Sequence, residues 1–272
     1  IVRDRPMVTH GESPERAARL VFLGTRGEIP VRSRRHRRHS SLLVERASVR
    51  VMIDCGTDWR SRVHSIQPTF IVLTHGHPDH AWGLADGAPC PVYATQATLE
   101  LIADYPIREP RLMPLRTATE VGGIGFEAFP VDHSTRAPAV GYRVTVAQHC
   151  FFYVPDVVAI HDRHAALHGA EFYIGDGATI RRSMVRRHDG ALIGHAPITT
   201  QLGWCAKEDV GLAIFTHCGS EIVKGDERRL GPRVRRLARE RGLDARIAHD
   251  GLQMPLAAES ASAAGTPGRQ HA

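Results

Sequence analysis

The stretch TFIVLTHGHPDHAWGL, residues 69–84, places three histidines and an aspartate within six positions directly behind an apolar run. FIVL is too short for a stable helix and reads as a buried strand, and α/β folds carry their sites at the carboxyl ends of such strands. Pro78 biases His77 toward extended geometry, so His75, His77 and Asp79 are expected to project to one side at period two, with His80 opening the helix that follows. Imidazoles and a carboxylate gathered on a short rigid loop suit a borderline metal such as zinc. The alternative is a hydrogen-bonded histidine cluster without metal, which needs a separate partner for each ring and sets neighbouring imidazoles to repel when protonated. A metal site at the end of a buried strand is therefore the first constraint on the fold.

The flanking sequence says what else must surround that strand. RLVFLG reads as a first strand, and SLLVER and VRVMIDCG as a hairpin about Ala47 and Ser48. CPVYAT is a further strand, AWGLAD begins a short helix, and ATLELIADY has helical spacing until Pro106 stops it. A second β block follows in GIGFEAFPVD, AVGYRVTV and HCFFYVPD, then a helix at HDRHAALHG and a strand at EFYIGD. GLAIFTHCG is a strand ending at a histidine, DERRLGPRVRRLARERG a basic helix interrupted by Gly231 and Pro232, and DARIAHDG a last strand. Two blocks of consecutive strands, each followed by helices, predict an α/β chain of two sheets sandwiched between helices, an αββα order.

At 272 residues with 42% hydrophobic and 24% charged residues, the chain has apolar surface enough for one such interior. The expected division is a lead-in over residues 1–18, one domain over 19–256 and a small polar disordered tail over 257–272. No apolar run reaches the ~18 residues of a membrane span, so no membrane partner and a cytoplasmic location are expected. The chain begins at Ile1 rather than methionine, which leaves a removed upstream segment open. Five cysteines at irregular spacing, with no CxxC pair, read as reduced thiols. The net charge of +6 favours anionic partners and is concentrated in residues 32–40 and 228–246.

The H-x-H-x-D-H spacing of His75, His77, Asp79 and His80 resembles that of the metallo-β-lactamase superfamily. LVFLGTRGEIP is similar to the opening strand and glycine turn of that family, and VMIDCG to the strand bearing an aspartate that supports the ligands, here Asp54. The resemblance implies a four-layer αββα sandwich of two mixed β-sheets flanked by helices, and two divalent metal ions, zinc ahead of manganese or iron. It assigns His75, His77 and His133 to one ion, Asp79, His80 and His217 to the other, and a bridging role to Asp156. Two positions keep a competitor: Asp176 in FYIGDG for the bridge, and His249 in ARIAHDG for the last histidine. Two ions in such a site lower the pKa of a shared water and stabilise the attacking and leaving oxygens of a displacement.

GHAPITTQ, residues 194–201, resembles the segment that supplies a leaving-group acid in the superfamily's phosphodiesterase branch, which holds the tRNA 3′-end processing endonucleases and a cyclic phosphodiesterase of phosphonate breakdown. The resemblance makes His195 that acid and Asp79 the group orienting the nucleophile. RSRRHRRHSS carries five arginines and no lysine, and guanidinium groups bind phosphate bidentately, so Arg32, Arg34, Arg35, Arg37, Arg38 and Ser40 form an expected phosphate clamp, against the commoner reading of a solvated basic loop. The expected activity is metal-dependent hydrolysis of a small or cyclic phosphodiester, because no long Gly/Pro-rich arm of the tRNA-processing kind is inserted between the later motifs. Three rival readings stand beside it. GHAPI also resembles a motif of the pyrroloquinoline quinone biosynthesis protein B, which implies an oxidative or biosynthetic metalloenzyme using iron; the same scaffold hydrolyses lactones and thioesters; and the basic segments suit an RNA-processing or nucleic-acid-binding role. A homodimer is left open.

Overall fold

The computed structural model describes residues 18–256, so the expected lead-in up to residue 17 and the expected tail from 257 lie outside the described residues. The first sheet contains β1 (Ala18–Gly24), β2 (Ser41–Arg46), β3 (Val49–Ile53), β4 (Phe70–Val72), β5 (Val92–Ala94) and β6 (Pro110–Leu112). The second is built from β7 (Thr119–Val121), β8 (Ile124–Asp132), β9 (Ala139–Val146), β10 (His149–Tyr153), β11 (Ala159–Ile160), β12 (Phe172–Asp176), β15 (Leu212–Thr216) and β16 (Asp244–Ile247). Between them in sequence, β13 (Arg186–His188) and β14 (Ala191–Ile193) form a separate hairpin, and the last described strand, β17 (Gln253–Leu256), returns to pair antiparallel with β1. Helices α1 (Val63–Ile66), α2 (Pro78–Ala81), α3 (Gln96–Leu101), α4 (Arg163–Leu167), α5 (Ile198–Lys207), α6 (Ser220–Val223) and α7 (Glu227–Arg239) make up the outer layers with 3₁₀ turns.

Strand alternation produces the layers. In β2, Leu42 and Val44 point into the space between the sheets, where they meet Phe126, Tyr142, Phe151, Tyr153 and Ile214 of the second sheet. Leu43, between them, points the other way and packs with Met52, Trp59, Val63 and Ile71 under the first layer of helices. The same switch in β10 sends Phe152 outward to meet Tyr173 and Phe215, and Leu202 of α5 and Leu237 of α7 belong to the same cluster. Three apolar interiors separated by two mixed sheets give the αββα sandwich expected from the sequence. Both sheets have antiparallel hairpins at one side and parallel strands at the other: β3, β4, β5 and β6 in the first, and β10, β12, β15 and β16 in the second. No helix among the described residues is long and apolar enough to cross a membrane.

Two local expectations are corrected. α7 runs unbroken through Gly231 and Pro232. The proline lacks the N–H that would bond the Arg228 carbonyl, but Arg228 is exposed in the first turn of the helix, where water can satisfy that group. The helix expected from Ala81 begins earlier, at Pro78, with Pro at its first position.

Candidate metal centre

The catalytic-type side chains sit where strands end. His75 follows β4, His133 follows β8, Asp156 lies just past β10, Asp176 ends β12 and His217 follows β15, so strand ends of both sheets converge on one edge of the sandwich. His77 has the extended backbone that Pro78 imposes (φ −65°, ψ 152°) and caps α2. The period-two projection expected for His75, His77 and Asp79 therefore stops at His77: the helix turns Asp79 away with His80 to meet His217.

Two clusters result. In the first, His77 Nδ1 lies 3.0 Å from His75 Nε2 and 3.2 Å from His133 Nε2. A tetrahedral zinc bound at 2.0–2.1 Å places its nitrogen ligands about 3.3 Å apart, so these spacings are those of a ligand face. In the second, Asp79 Oδ2 lies 3.1 Å from His217 Nε2 and 3.3 Å from His80 Nε2. Asp156 stands between the two: its Oδ2 is 2.7 Å from His80 Nε2, and its Oδ1 is 3.4 Å from His217 Nε2 and 3.7 Å from His133 Nε2.

The rings are held from behind, which fixes the nitrogen each presents. His80 Nδ1 is 2.9 Å from the buried carboxylate of Asp54 and His133 Nδ1 is 3.0 Å from the Gly194 carbonyl, so both donate there and turn Nε2 inward. His75 Nδ1 is 3.0 Å from Thr74 Oγ1, and that hydroxyl donates to Asp54 in turn. Gly27 allows the opening turn to approach His217, because a Cβ there would stand 2.9 Å from the imidazole.

The electrostatics divide along the same line. Burial, joined by the other imidazoles, pushes His75 well below its ordinary range and His77 down to about 4, and burial lowers His133 too, so this cluster offers neutral nitrogens. Burial also opposes charge on His80 and His217, but Asp79 and Asp156 outweigh it, raising His80 strongly and His217 to about 10. Burial opposes the ionised forms of Asp79 and Asp156 as well, and the imidazoles of His80 and His217 hold both carboxyls well below the usual range. Buried carboxylates compensated by imidazole protons form a site where cations can replace those protons. His80 Nε2 and Asp156 Oδ2 fit that use, being buried without a properly aligned hydrogen-bond partner.

The competing residues are placed elsewhere in the same edge. Asp176 comes within ligand reach of Asp156, His195 and His217, but its carboxylate already accepts from Ala178 N–H at 2.8 Å, from Val157 N–H at 3.2 Å and from His195 Nδ1 at 2.7 Å. His249 lies outside the clusters, beside Arg34, Arg35 and His36.

The structure does not bring the arginine run to the cleft. Asp250 accepts the backbone N–H groups of Arg37 and Arg38 at 3.0 and 3.1 Å, Arg32 pairs with Asp58 at 2.8 Å, Arg35 pairs with Glu227 at 2.7 Å, and Arg38 lies over Trp59. Arg34 borders the His249 pocket, and Ser40 is buried against Thr216 at 2.8 Å. Arg32 and Arg35 are thus engaged by carboxylates and Asp250 fastens the backbone of Arg37 and Arg38, while the side chains of Arg34 and Arg37 have no ionic partner among the described residues. The arginine that lines the cleft is Arg182, which the sequence reading passed over although RRSMVRRH is as basic a run. The cleft has a volume of about 620 Å³ and opens over His77, Asp79, His133, Asp156, His195 and His217.

A model of the β-lactamase superfamily domain matches residues 49–218, more than half of the chain, and the chain belongs to that family. Its two mixed sheets between helices are accordingly the metallo-β-lactamase fold. The chain is 29% identical over 144 residues to a ribonuclease Z of Methanopyrus kandleri, a match covering 46% of this chain and 49% of the relative. It therefore spans about half the length of that relative. Among solved structures it resembles a diphosphatase from the PhnP family (TM-score 0.64, 22% identity, 88% of this chain and 97% of the other). It also resembles zinc-bound PqqB from Methylobacterium extorquens (TM-score 0.66, 19% identity, 87% and 99%). At these identities the structural likenesses are likenesses of fold.

Proposed function

We propose that the chain hydrolyses phosphodiesters at a centre of two divalent ions, zinc ahead of manganese or iron, held by His75, His77 and His133 on one side and Asp79, His80 and His217 on the other, with Asp156 between. When bound, two such ions supply a nucleophilic hydroxide at neutral pH and stabilise charge on the phosphoryl oxygens. Asp79, in the wall of the cleft, orients the attacking oxygen. His195 handles the other end of the reaction. Its Nδ1–H donates to Asp176 at 2.7 Å, which directs the second nitrogen to the cleft. Burial works against its protonation, yet the Asp176 charge and hydrogen bond prevail and hold the imidazole above its ordinary range, as a proton donor to a leaving alkoxide requires.

The observation that carries this reading is that pairing: a proton donor, oriented by a carboxylate, beside two clusters that Asp156 joins. The match to a ribonuclease Z supports phosphodiester chemistry and keeps an RNA-processing role within it. The test is hydrolysis of bis(p-nitrophenyl) phosphate by protein replete with zinc or manganese. Activity in the wild type that falls to background in Asp156→Ala is expected; a metal-replete wild type inert toward every phosphodiester tried contradicts the reading.

A further inference from the structure

The cleft does not end at His195. A second cavity, of about 500 Å³, shares His77, His133, Arg182, Met184 and His195 with it, and a third, of about 360 Å³, shares Ser134, Arg186 and Ile193 with the second. The three are one groove that leaves the metal clusters and runs along the β13–β14 hairpin. Residues 181–190 hold four arginines and one aspartate, and Arg136 lines the far end of the groove opposite Arg187 and His188. Among the described residues, no acidic side chain pairs with Arg136, Arg182 or Arg186, and Arg187 bonds only the Gly190 carbonyl at 3.4 Å. Arginines 32 and 35 of the earlier run, by contrast, are held by carboxylates.

The hairpin is tied to the site. Gly194 N–H donates to the His133 carbonyl at 2.9 Å while its own carbonyl receives His133 Nδ1, and Met184 N–H donates to the His195 carbonyl at 3.3 Å. The backbone that carries Arg182, Arg186 and Arg187 is therefore held beside the clusters, with their guanidinium groups exposed along the groove. Between Arg182 and Arg186 the wall is apolar, formed by Met184, Val185 and Ile193, each half-buried. Alternating cationic and apolar surface matches a chain in which phosphates alternate with sugars and bases; an inorganic polyphosphate has nothing to place on the apolar part.

We propose that the groove along β13–β14 binds the phosphate backbone of a single-stranded oligonucleotide, with Arg182 nearest the scissile diester and Arg186, Arg187 and Arg136 on phosphates further along the strand. This deepens the phosphodiesterase reading and rests on it, replacing the small or cyclic substrate with a strand. The test is fluorescence anisotropy of the full chain with a labelled, hydrolysis-resistant phosphorothioate strand, of RNA in one arm and DNA in the other, over a salt titration. Arg186→Ala/Arg187→Ala is expected to bind about tenfold more weakly, with the slope of log affinity against log salt smaller by about 1.4, two contacts at about 0.7 each. Equal affinity and slope in wild type and variant overturn the proposal, as does binding to anionic vesicles without binding to either strand. Inorganic polyphosphate competing as well as the strand, at equal phosphate, overturns the nucleotide assignment. Hydrolysis of bis(p-nitrophenyl) phosphate by the same wild-type preparation separates the two readings. A protein that binds the strand through these arginines but cleaves no diester keeps the groove and loses the reaction; one that cleaves the small diester while the variant binds the strand unchanged loses the groove.

Discussion

At the scale of single residues, the group that each imidazole is bonded to behind the face it presents sets what that face can do. His195 is oriented by Asp176, and a donor so placed contributes only where the leaving group needs a proton. His195→Ala is therefore expected to lose about 10²- to 10⁴-fold in kcat toward a diester with a sugar or alkyl leaving group, and much less toward a p-nitrophenyl ester whose phenolate leaves unaided. Steady-state rates on the two substrates check this; equal losses on both contradict the acid role. Asp54 bonds His80 and Thr74 from behind the candidate ligands, and on the proposed reading Asp54→Asn is expected to weaken metal binding about 10- to 100-fold, read by competition with a chelating dye. His75, His77, Asp79 and His80 were legible because their spacing on one short loop carries the chemistry. The bond between Asp176 and His195 was not, since it joins a strand end to a loop that only the folded sheet brings together.

At the scale of elements, strands could be read from the alternation of Leu42, Leu43 and Val44 or of Phe151, Phe152 and Tyr153, each of which sends neighbours into different layers. β17 escaped that reading because QMPL has no clear alternation and owes its place to pairing with β1. The partners of residues 32–38 were hidden for a related reason: charge composition does not show that Asp250, Asp58 and Glu227 wait for them in the fold. That loop carries its own pH signal. Burial, with Arg35 and His249 adding to it, pulls His36 from 6.5 down to about 4, so the folded state resists a proton that the unfolded chain accepts. The His36 contribution is complete above pH 6.5, declines as pH falls from 6.5 to 4 and is lost below that, a change on the order of 3 kcal/mol. Thermal melts across that window should show a smaller acid-side loss in His36→Gln than in the wild type; parallel curves contradict the assignment.

At the scale of the whole molecule, the sandwich gathers strand ends of both sheets at one edge, and because the candidate ligands come from both sheets, metal binding is expected to be coupled to the stability of the entire domain. Ions that bind the folded chain alone should stabilise it by about 2.7 kcal/mol at a hundredfold excess over Kd, so chelation is expected to lower Tm and re-addition of zinc or manganese to restore it. A Tm indifferent to chelation would mean that the site contributes nothing to the fold. The layer order was legible in two blocks of strands each followed by helices; the groove along β13–β14 was not, because cavities belong to surfaces that sequence neighbours do not define. Anomalous scattering from crystals of the metal-loaded protein reads the proposed two-ion centre most directly. Two peaks about 3.5 to 4 Å apart are predicted, one bounded by His75, His77 and His133, the other by Asp79, His80 and His217, with Asp156 touching both. A single peak, or a second peak that Asp156 does not reach, would contradict it.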